Sequence, residues 1–238
     1  MDTIFDAPLY IQVRQKILAQ LRDGTLAGDK PLPSEMKFAE IFDVSQGTVR
    51  KAIDDLVAQN ILFRHQGRGT FIRKHDETQS LFRFFNFETV SGQRATPQST
   101  LLDQRTRRGN KDECARLNIA TGSRLIELRR VRSLDGTACI FETIQLDHKS
   151  FAGLEKEPIP NTLYKLYSDR FDTHITRAEE RLSAITSDDT VLHQQLGCDQ
   201  HTPLLQIERV AFDLNNEPKE FRISICQCDV IRYKTVLG

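Results

Sequence analysis

The sequence lacks long apolar runs. Its longest run of apolar side chains is four residues, Ala138–Phe141, whereas a membrane-spanning helix needs about 20. The first ten residues hold two acidic side chains and neither a basic nor an apolar segment, so we expect no secretory signal. These observations argue against a membrane protein and favour a cytoplasmic one.

Charge of one sign is not in excess either. The 33 Lys and Arg balance 33 Asp and Glu, which excludes a uniformly basic coat for nucleic acid and requires any such site to be local. One local patch exists, because residues 45–75 contain six Lys or Arg against two Asp, a net charge of +4. A patch of this size is typical of a solvated face as well as of a phosphate-binding surface, so the surrounding sequence must decide between them.

The common catalytic motifs are also missing. The sequence has no Gly-x-Ser-x-Gly elbow, Walker A loop or His-Glu-x-x-His, so we predict no catalytic residues, no metal and no cofactor. Two groups could ligate a metal, namely His193 with Cys198 and His201, and Cys226 with Cys228. A structural zinc site normally uses a wider cysteine pair. We therefore interpret the five cysteines as reduced, buried or half-buried thiols.

Apolar residues at three- and four-residue steps predict three helices near the N-terminus. The first begins at Leu9 and spans about 15 residues. The second covers Glu35–Phe42 with Ser34 as its N-cap, and the third runs from the N-cap Ser45 to about Asn60.

The helices and the segment after them have the order of a winged helix-turn-helix. After the third helix the period changes, and residues 61–64 and 70–73 predict a β-hairpin. The third helix is the candidate recognition helix, because Gln46 and Arg50 share one face and can pair with adenine and guanine in a major groove. Arg68, between two glycines at the hairpin tip, could enter a minor groove. A helical bundle with an incidental hairpin is the alternative.

The second part of the chain mixes strands and helices. Residues 74–80 are polar and predict a linker between a first domain, residues 1–73, and a second, residues 81–238. Consecutive strands joined by tight turns favour an α+β domain with an antiparallel sheet over a doubly wound parallel sheet. The predicted strands are 99–106, 123–133, 138–146, 173–185, 204–214 and 218–228. The predicted helices are 111–118, 161–169 and 187–196.

The N-terminal sequence resembles the DNA-binding domain of GntR-family transcriptional regulators over residues 8–72. The most specific matching parts are Pro8–Tyr10, Leu32–Glu35, Val44–Ser45, Thr48–Leu56 and Gln66–Ile72. The resemblance implies a homodimer that binds palindromic operator DNA. The family commonly has Arg where this chain has Met36 and Gln46, so the operator sequences of relatives do not carry over. The candidate DNA-binding residues are Ser34, Glu35, Lys37, Ser45, Gln46, Gly47, Thr48, Arg50, Lys51, Gln66, Gly67, Arg68, Gly69 and Thr70.

Residues 81–238 resemble the UTRA effector domain of the HutC-type branch of that family, whose fold is similar to that of chorismate lyase. The matching stretches are Leu125–Glu142, Asn161–Leu166, Thr202–Asp213 and Glu217–Phe221. The resemblance implies a small-molecule sensor and dimerisation through this domain. In the resembled family, the positions that line the effector pocket match Arg130, Arg132, Glu142, Thr162, Tyr164 and Glu220.

The residue types of that set suit an anion. Arg130 and Arg132 are two apart on a predicted strand and therefore point to one face. Two guanidinium groups on one face can pair bidentately with a carboxylate or a phosphate. A solvated strand face, on which the arginines pair with Glu127 or Glu142, is the alternative.

We therefore expect a cytoplasmic transcriptional regulator, a repressor released by a small anionic metabolite. A ligand near Arg130 and Arg132 would shift the population between two arrangements of the DNA-reading domains through the linker. Two other hypotheses remain open. The second domain could be an enzyme, or it could be a dimerisation module only, which predicts a filled sheet face without a cavity between Arg130, Glu142 and Tyr164.

Overall fold

The computed structural model describes residues 7–26, 30–58, 61–72, 84–93 and 96–235. The chain divides into two compact units between His75 and Asp76. The predicted linker, residues 74–80, lies outside the described residues. Within the part of the chain that is described, no helix is long and apolar enough to cross a membrane.

Three helices build the first unit: α1 (Leu9–Arg22), α2 (Glu35–Phe42) and α3 (Gln46–Ala58). The cap predictions are confirmed, because the Ser34 hydroxyl accepts a hydrogen bond from the Lys37 amide at 3.2 Å and the Ser45 hydroxyl accepts one from the Thr48 amide at 3.1 Å. Such caps satisfy amides that have no partner inside the helix. They fix where α2 and α3 begin.

A β-hairpin follows, formed by β1 (Leu62–His65) and β2 (Gly69–Ile72). The Leu32 amide donates to the Thr70 carbonyl at 2.7 Å, which fastens the segment before α2 to the hairpin. The apolar sides of the helices and the first hairpin residue form one core, as the periodicity predicts. The buried side chains are Val13, Ile17, Leu18, Phe38, Val49, Ala52, Ile53, Leu56 and Leu62.

A six-stranded antiparallel sheet forms the second unit. Its strand order is β4–β5–β6–β9–β8–β7. All five neighbouring pairs of strands in it are antiparallel, in line with the α+β class. The strands are β4 (Gln98–Arg108), β5 (Arg124–Leu134), β6 (Thr137–Asp147), β7 (Ile175–Ile185), β8 (Leu204–Asp213) and β9 (Pro218–Gln227). All six were predicted, with boundaries within two residues.

The remaining elements of the second unit cover the sheet. The helices are α4 (Lys111–Arg116), α5 (Leu163–Phe171) and α6 (Thr190–Leu196), and a short 3-10 turn spans Leu154–Lys156. A separate two-stranded sheet pairs β3 (Phe87–Thr89) with β10 (Ile231–Tyr233). The sequence did not predict this sheet, because strands of three residues are too short for an alternation signal.

The two faces of the large sheet differ in character. One face carries two apolar clusters, one under α5 around Ile144 and Tyr167, the other around Ile140 and Phe87 beside β3 and β10. Charged side chains lie between these clusters. The opposite face is apolar beneath α4 and α6, where Phe221 and Leu192 are buried.

Candidate nucleic-acid interface and candidate ligand pocket

The N-terminal half of α3 presents a polar face outward. Gln46 and Arg50 are exposed, whereas Val49 and Ile53 are fully buried beneath them. The prediction that Gln46 and Arg50 share an outer face is confirmed. A helix with this division can lie in a major groove while its inner face holds the domain together.

Glu35, the first residue of α2, accepts hydrogen bonds from the side chains on that face. Its Oε2 accepts from Arg50 Nε at 2.9 Å and from Gln46 Nε2 at 3.4 Å, and its Oε1 accepts from Arg64 Nη2 at 3.0 Å. Arg64 Nη2 also lies 2.8 Å from Asp54 Oδ1. Sequence reasoning missed Arg64, which lies on β1. The local excess of Lys and Arg in residues 45–75, which includes Arg64, was the available signal.

Two other candidate DNA-binding residues are engaged elsewhere. The Lys51 ammonium lies 4.1 Å from the centroid of the Tyr10 ring, and the neighbouring Arg14–Asp55 ion pair also joins α1 to α3. Lys51 therefore faces α1 rather than the side that carries Arg50. Lys37 pairs with Glu40 on the exposed surface of α2 at 2.9 Å.

The hairpin turn needs its two glycines. Gly67 and Gly69 have φ angles of +73° and +107°, a region that other residues rarely adopt. A Cβ on Gly69 would lie 3.4 Å from the Pro31 Cβ. Gln66, Gly67 and Arg68 are exposed at the tip, so they can approach a groove.

The second site is a band of buried charge on the sheet. Arg130 Nε donates to Glu142 Oε2 at 2.5 Å, and Arg222 Nη1 donates to Glu142 Oε1 at 3.2 Å. Arg222 also donates to both oxygens of Glu220, each at 2.9 Å. Burial opposes ionisation of Glu142, but the guanidinium groups of Arg130, Arg222 and Arg132 outweigh it and hold the pKa of this carboxyl well below its usual range. Glu142 is therefore ionised.

Helix α5 closes one side of this band. Tyr164 donates to Glu220 Oε1 at 3.0 Å and Tyr167 donates to Glu220 Oε2 at 2.8 Å. Burial, together with the charge of Glu220, raises the pKa of Tyr164 to about 12, so its hydroxyl keeps its proton. Thr162, directly before α5, is buried. All six predicted effector-pocket residues therefore lie in or beside one polar band.

Arg132 is the exception among these charges, because no carboxylate of the described residues lies within hydrogen-bond distance of its guanidinium group. Its side chain is 5% exposed, and Nε and Nη2 have no hydrogen-bond partner among the described residues. Its Nη1 lies 3.8 Å from Glu142 Oε1, and its guanidinium carbon lies 4.6 Å from the centroid of the Phe85 ring. Burial lowers the pKa of Arg132 to about 9, so the group is still charged at neutral pH. A buried, charged donor without acceptors is a strong attractor for an anion.

Arg209 joins the band to the segment that precedes β3. It donates to Glu180 Oε1 through Nε at 2.7 Å and to the Phe84 carbonyl through Nη2 at 2.5 Å. Sequence reasoning missed Arg209 and Arg222. Alternation along a strand shows which face a residue occupies, but the contacts of Arg209 with Glu180 and of Arg222 with Glu142 arise only through the order of strands in the sheet.

A small cavity opens among these groups. Water can occupy about 30 Å³ of it, room for about two molecules. The space lies between Arg130 and Tyr164, where a dimerisation module predicts a filled sheet face, but Glu142 does not line it. The cavity is lined by Phe84, Phe85, Arg130, Arg132, Asn161, Thr162, Leu163, Tyr164, Arg209 and Arg222.

The cysteines behave as buried or half-buried thiols, as predicted. Cys114, Cys139 and Cys226 are buried, and burial raises the pKa of Cys139 to about 11. Cys198 Sγ lies 3.5 Å from His193 Nδ1. Among the described residues, no group of three or more His, Cys, Asp and Glu is arranged to hold a metal ion.

Two family models match the sequence in consecutive segments. The model of bacterial regulatory proteins of the gntR family matches residues 9–72, and the model of the UTRA domain matches residues 92–232. The first match contains α1 to α3 and the hairpin. The second contains the charged band of the large sheet.

Similar proteins match along nearly the whole chain. A probable fructoselysine utilization operon transcriptional repressor of Escherichia coli K12 is 28% identical over 94% of this chain and 92% of its own length. The HTH-type transcriptional repressor NagR of Bacillus subtilis is 29% identical over 93% and 91%. Among solved structures, PhnF from Mycobacterium smegmatis matches with a TM-score of 0.58 and 23% identity over 95% of this chain and 99% of its own, a likeness of fold.

Proposed function

This chain belongs to the gntR family of bacterial regulatory proteins and carries a UTRA domain, and on that basis we propose that it is a cytoplasmic repressor whose operator binding responds to a small anionic metabolite. Membership of the family makes it a DNA-binding transcriptional regulator rather than an enzyme. The proposal adds the direction of regulation, the chemical class of the effector and the residues that act.

Arg132 is the observation that carries the effector part of the proposal. Three neighbouring arginines, Arg130, Arg209 and Arg222, each have a carboxylate within hydrogen-bond distance. Arg132 is equally buried and lacks one. An isolated buried charge costs stability, so a carboxylate or phosphate that reaches Arg132 supplies the missing acceptors and gains strong charge-assisted hydrogen bonds.

The size of the cavity supports a coupling mechanism. A metabolite that lies wholly among these groups is larger than the space of about 30 Å³, so its full entry would move side chains of the lining. Phe85 packs on Arg132, and the Phe84 carbonyl accepts from Arg209. We infer that the effector displaces this segment, which follows the predicted linker in sequence, and so biases the DNA-binding unit. A ligand acts this way only if it binds one arrangement more tightly than the other.

The DNA part of the proposal assigns base reading to Gln46 and Arg50 and groove contact to the hairpin tip. Replacing Arg50 with alanine should weaken specific binding by about 1–3 kcal/mol, because a guanine loses a bidentate partner. A duplex is first selected from a random pool with the wild-type protein. Its affinity for the wild type and for Arg50→Ala is then compared by fluorescence anisotropy. An unchanged affinity, with unchanged tolerance of base substitutions in the duplex, would remove Arg50 from base reading.

We also propose a homodimer, since a two-fold-symmetric operator requires two reading heads. Native mass spectrometry of the full chain should give twice the chain mass of 27.3 kDa. Any additional mass on that dimer as purified would give the mass of a bound effector. A chain that stays monomeric at micromolar concentration, with and without the selected duplex, contradicts this part.

A further inference from the structure

We propose that Glu35 is a positioning residue that sets the specificity of DNA reading by holding Arg50 and Arg64 toward the bases and away from the phosphates. This inference rests on the proposed DNA-binding function. It assigns Glu35 an action through other side chains and adds Arg64, which lies in the basic patch of residues 45–75 but was not among the candidate DNA-binding residues.

The geometry of the carboxylate is the first argument. Both oxygens of Glu35 are used, Oε2 by Arg50 at 2.9 Å and Oε1 by Arg64 at 3.0 Å. One carboxylate of α2 thus holds a side chain of α3 and another of β1. The bond to Arg50 engages Nε, so a guanine contact through Nη1 and Nη2 is compatible with it. Holding a long side chain before DNA arrives lowers the entropy cost of the contact.

Exposure is the second argument. The side chain of Glu35 is 21% exposed, whereas those of Arg50 and Arg64 are 57% and 45% exposed. The carboxylate therefore lies beneath the two guanidinium groups rather than in front of them. A residue in this place can orient its partners, but it is poorly placed to contact DNA itself.

Charge is the third argument. Arg50 and Arg64 are opposed by Glu35 and Asp54, so this group of four side chains has no net charge. Two unopposed arginines would attract any phosphate, irrespective of base sequence. The paired arginines gain less from phosphates alone, so the surface depends more on contacts to bases. Glu35 thereby reduces binding to the wrong DNA.

The test compares full-length wild type with Glu35→Gln on two duplexes. One is the duplex that the wild type selects from a random pool, and the other has the same base composition in shuffled order. Loss of the charge should weaken binding to the selected duplex about tenfold, because Arg50 loses its orientation. Binding to the shuffled duplex should strengthen, with a salt-dependence slope steeper by about 0.9 for each arginine that gains a phosphate.

Glu40→Gln is the matched control. It removes the same charge from the same helix, where Glu40 pairs with Lys37 on the exposed surface. Its affinities for the two duplexes should rise by similar factors, which leaves their ratio unchanged. Adding Arg64→Ala to Glu35→Gln should return the salt slope on the shuffled duplex toward the wild-type value.

The inference is overturned if Glu35→Gln keeps the wild-type ratio of affinities, or if it weakens both duplexes by one factor, as a merely structural residue would. Thermal denaturation of both variants shows whether the fold is retained. A different result would refute the proposed function, namely that the wild-type protein enriches no sequence from the random pool.

Discussion

Replacing Arg132 with methionine should leave the ligand-free protein at least as stable as the wild type and abolish its response to effector. Arg132 is buried and lacks acceptors for Nε and Nη2. Methionine is apolar and long enough to pack against Phe85, so the substitution removes a buried charge whose nearest carboxylate oxygen, Glu142 Oε1, lies 3.8 Å away. We expect the free energy of unfolding to be unchanged or to rise by about 1–3 kcal/mol, the cost of a buried donor without an acceptor. Denaturant unfolding monitored by circular dichroism measures this change.

Arg130→Met is the matched control for that result. It removes the same functional group two residues away on the same strand, but Arg130 donates to Glu142 at 2.5 Å. Its loss leaves a buried carboxylate with fewer partners and should lower the free energy of unfolding by about 3–5 kcal/mol. Equal destabilisation by Arg132→Met and Arg130→Met would show that Arg132 has a structural partner, and the anion site would lose its basis.

The second part of this experiment adds an anion to the wild type and to Arg132→Met. Inorganic phosphate, titrated at constant ionic strength, should raise the melting temperature of the wild type, because ligands that bind only the folded state stabilise it. The same titration should leave the melting temperature of Arg132→Met unchanged. A rise of the same size in both proteins would place the anion elsewhere.

Replacing Arg209 with methionine should separate effector binding from its effect on DNA. The substitution removes the hydrogen bond from Arg209 to the Phe84 carbonyl while Arg132 stays in place. We expect ligand still to raise the melting temperature, but the change in operator affinity, typically 5–150-fold for an allosteric pair, to fall to nearly none. Anisotropy of the selected duplex with and without ligand measures that change.

Glu180→Gln controls for the ion pair that Arg209 also forms. This variant removes the carboxylate charge beside Arg209 and leaves the bond to Phe84. It should keep most of the wild-type coupling. If Arg209→Met responds to ligand as fully as the wild type, the segment at Phe84 does not transmit the signal.

Local patterns in the sequence predicted most of the architecture. Helices α2 and α3 begin where Ser34 and Ser45 can cap them, and this depends on residues only three positions apart. The long strands of the second unit are separated by turn signals such as Asp135-Gly136, where both residues have positive φ. These features are local, so one sequence suffices to find them.

Local patterns could not predict contacts between residues that are distant in the chain. Glu35 meets Arg64 across 29 residues, and Arg222 meets Glu142 across 80. Lys51 was assigned to the reading face by its helical position, but the ring of Tyr10 on α1 attracts its ammonium. Resemblance to a family supplied the pocket residues of β5, β6 and α5. Arg209 joins them only because β8 pairs with β9 in the sheet.

The most direct test of regulation by an anion at Arg132 is the affinity of the full-length protein for its selected duplex. This affinity is measured before and after addition of a deproteinised small-molecule extract of the organism that encodes the chain. Wild-type affinity should fall at least fivefold, as an allosteric coupling of about 1 kcal/mol requires, and Arg132→Met should not respond. An equal response of both proteins, or a wild type that holds its duplex unchanged, would contradict the account.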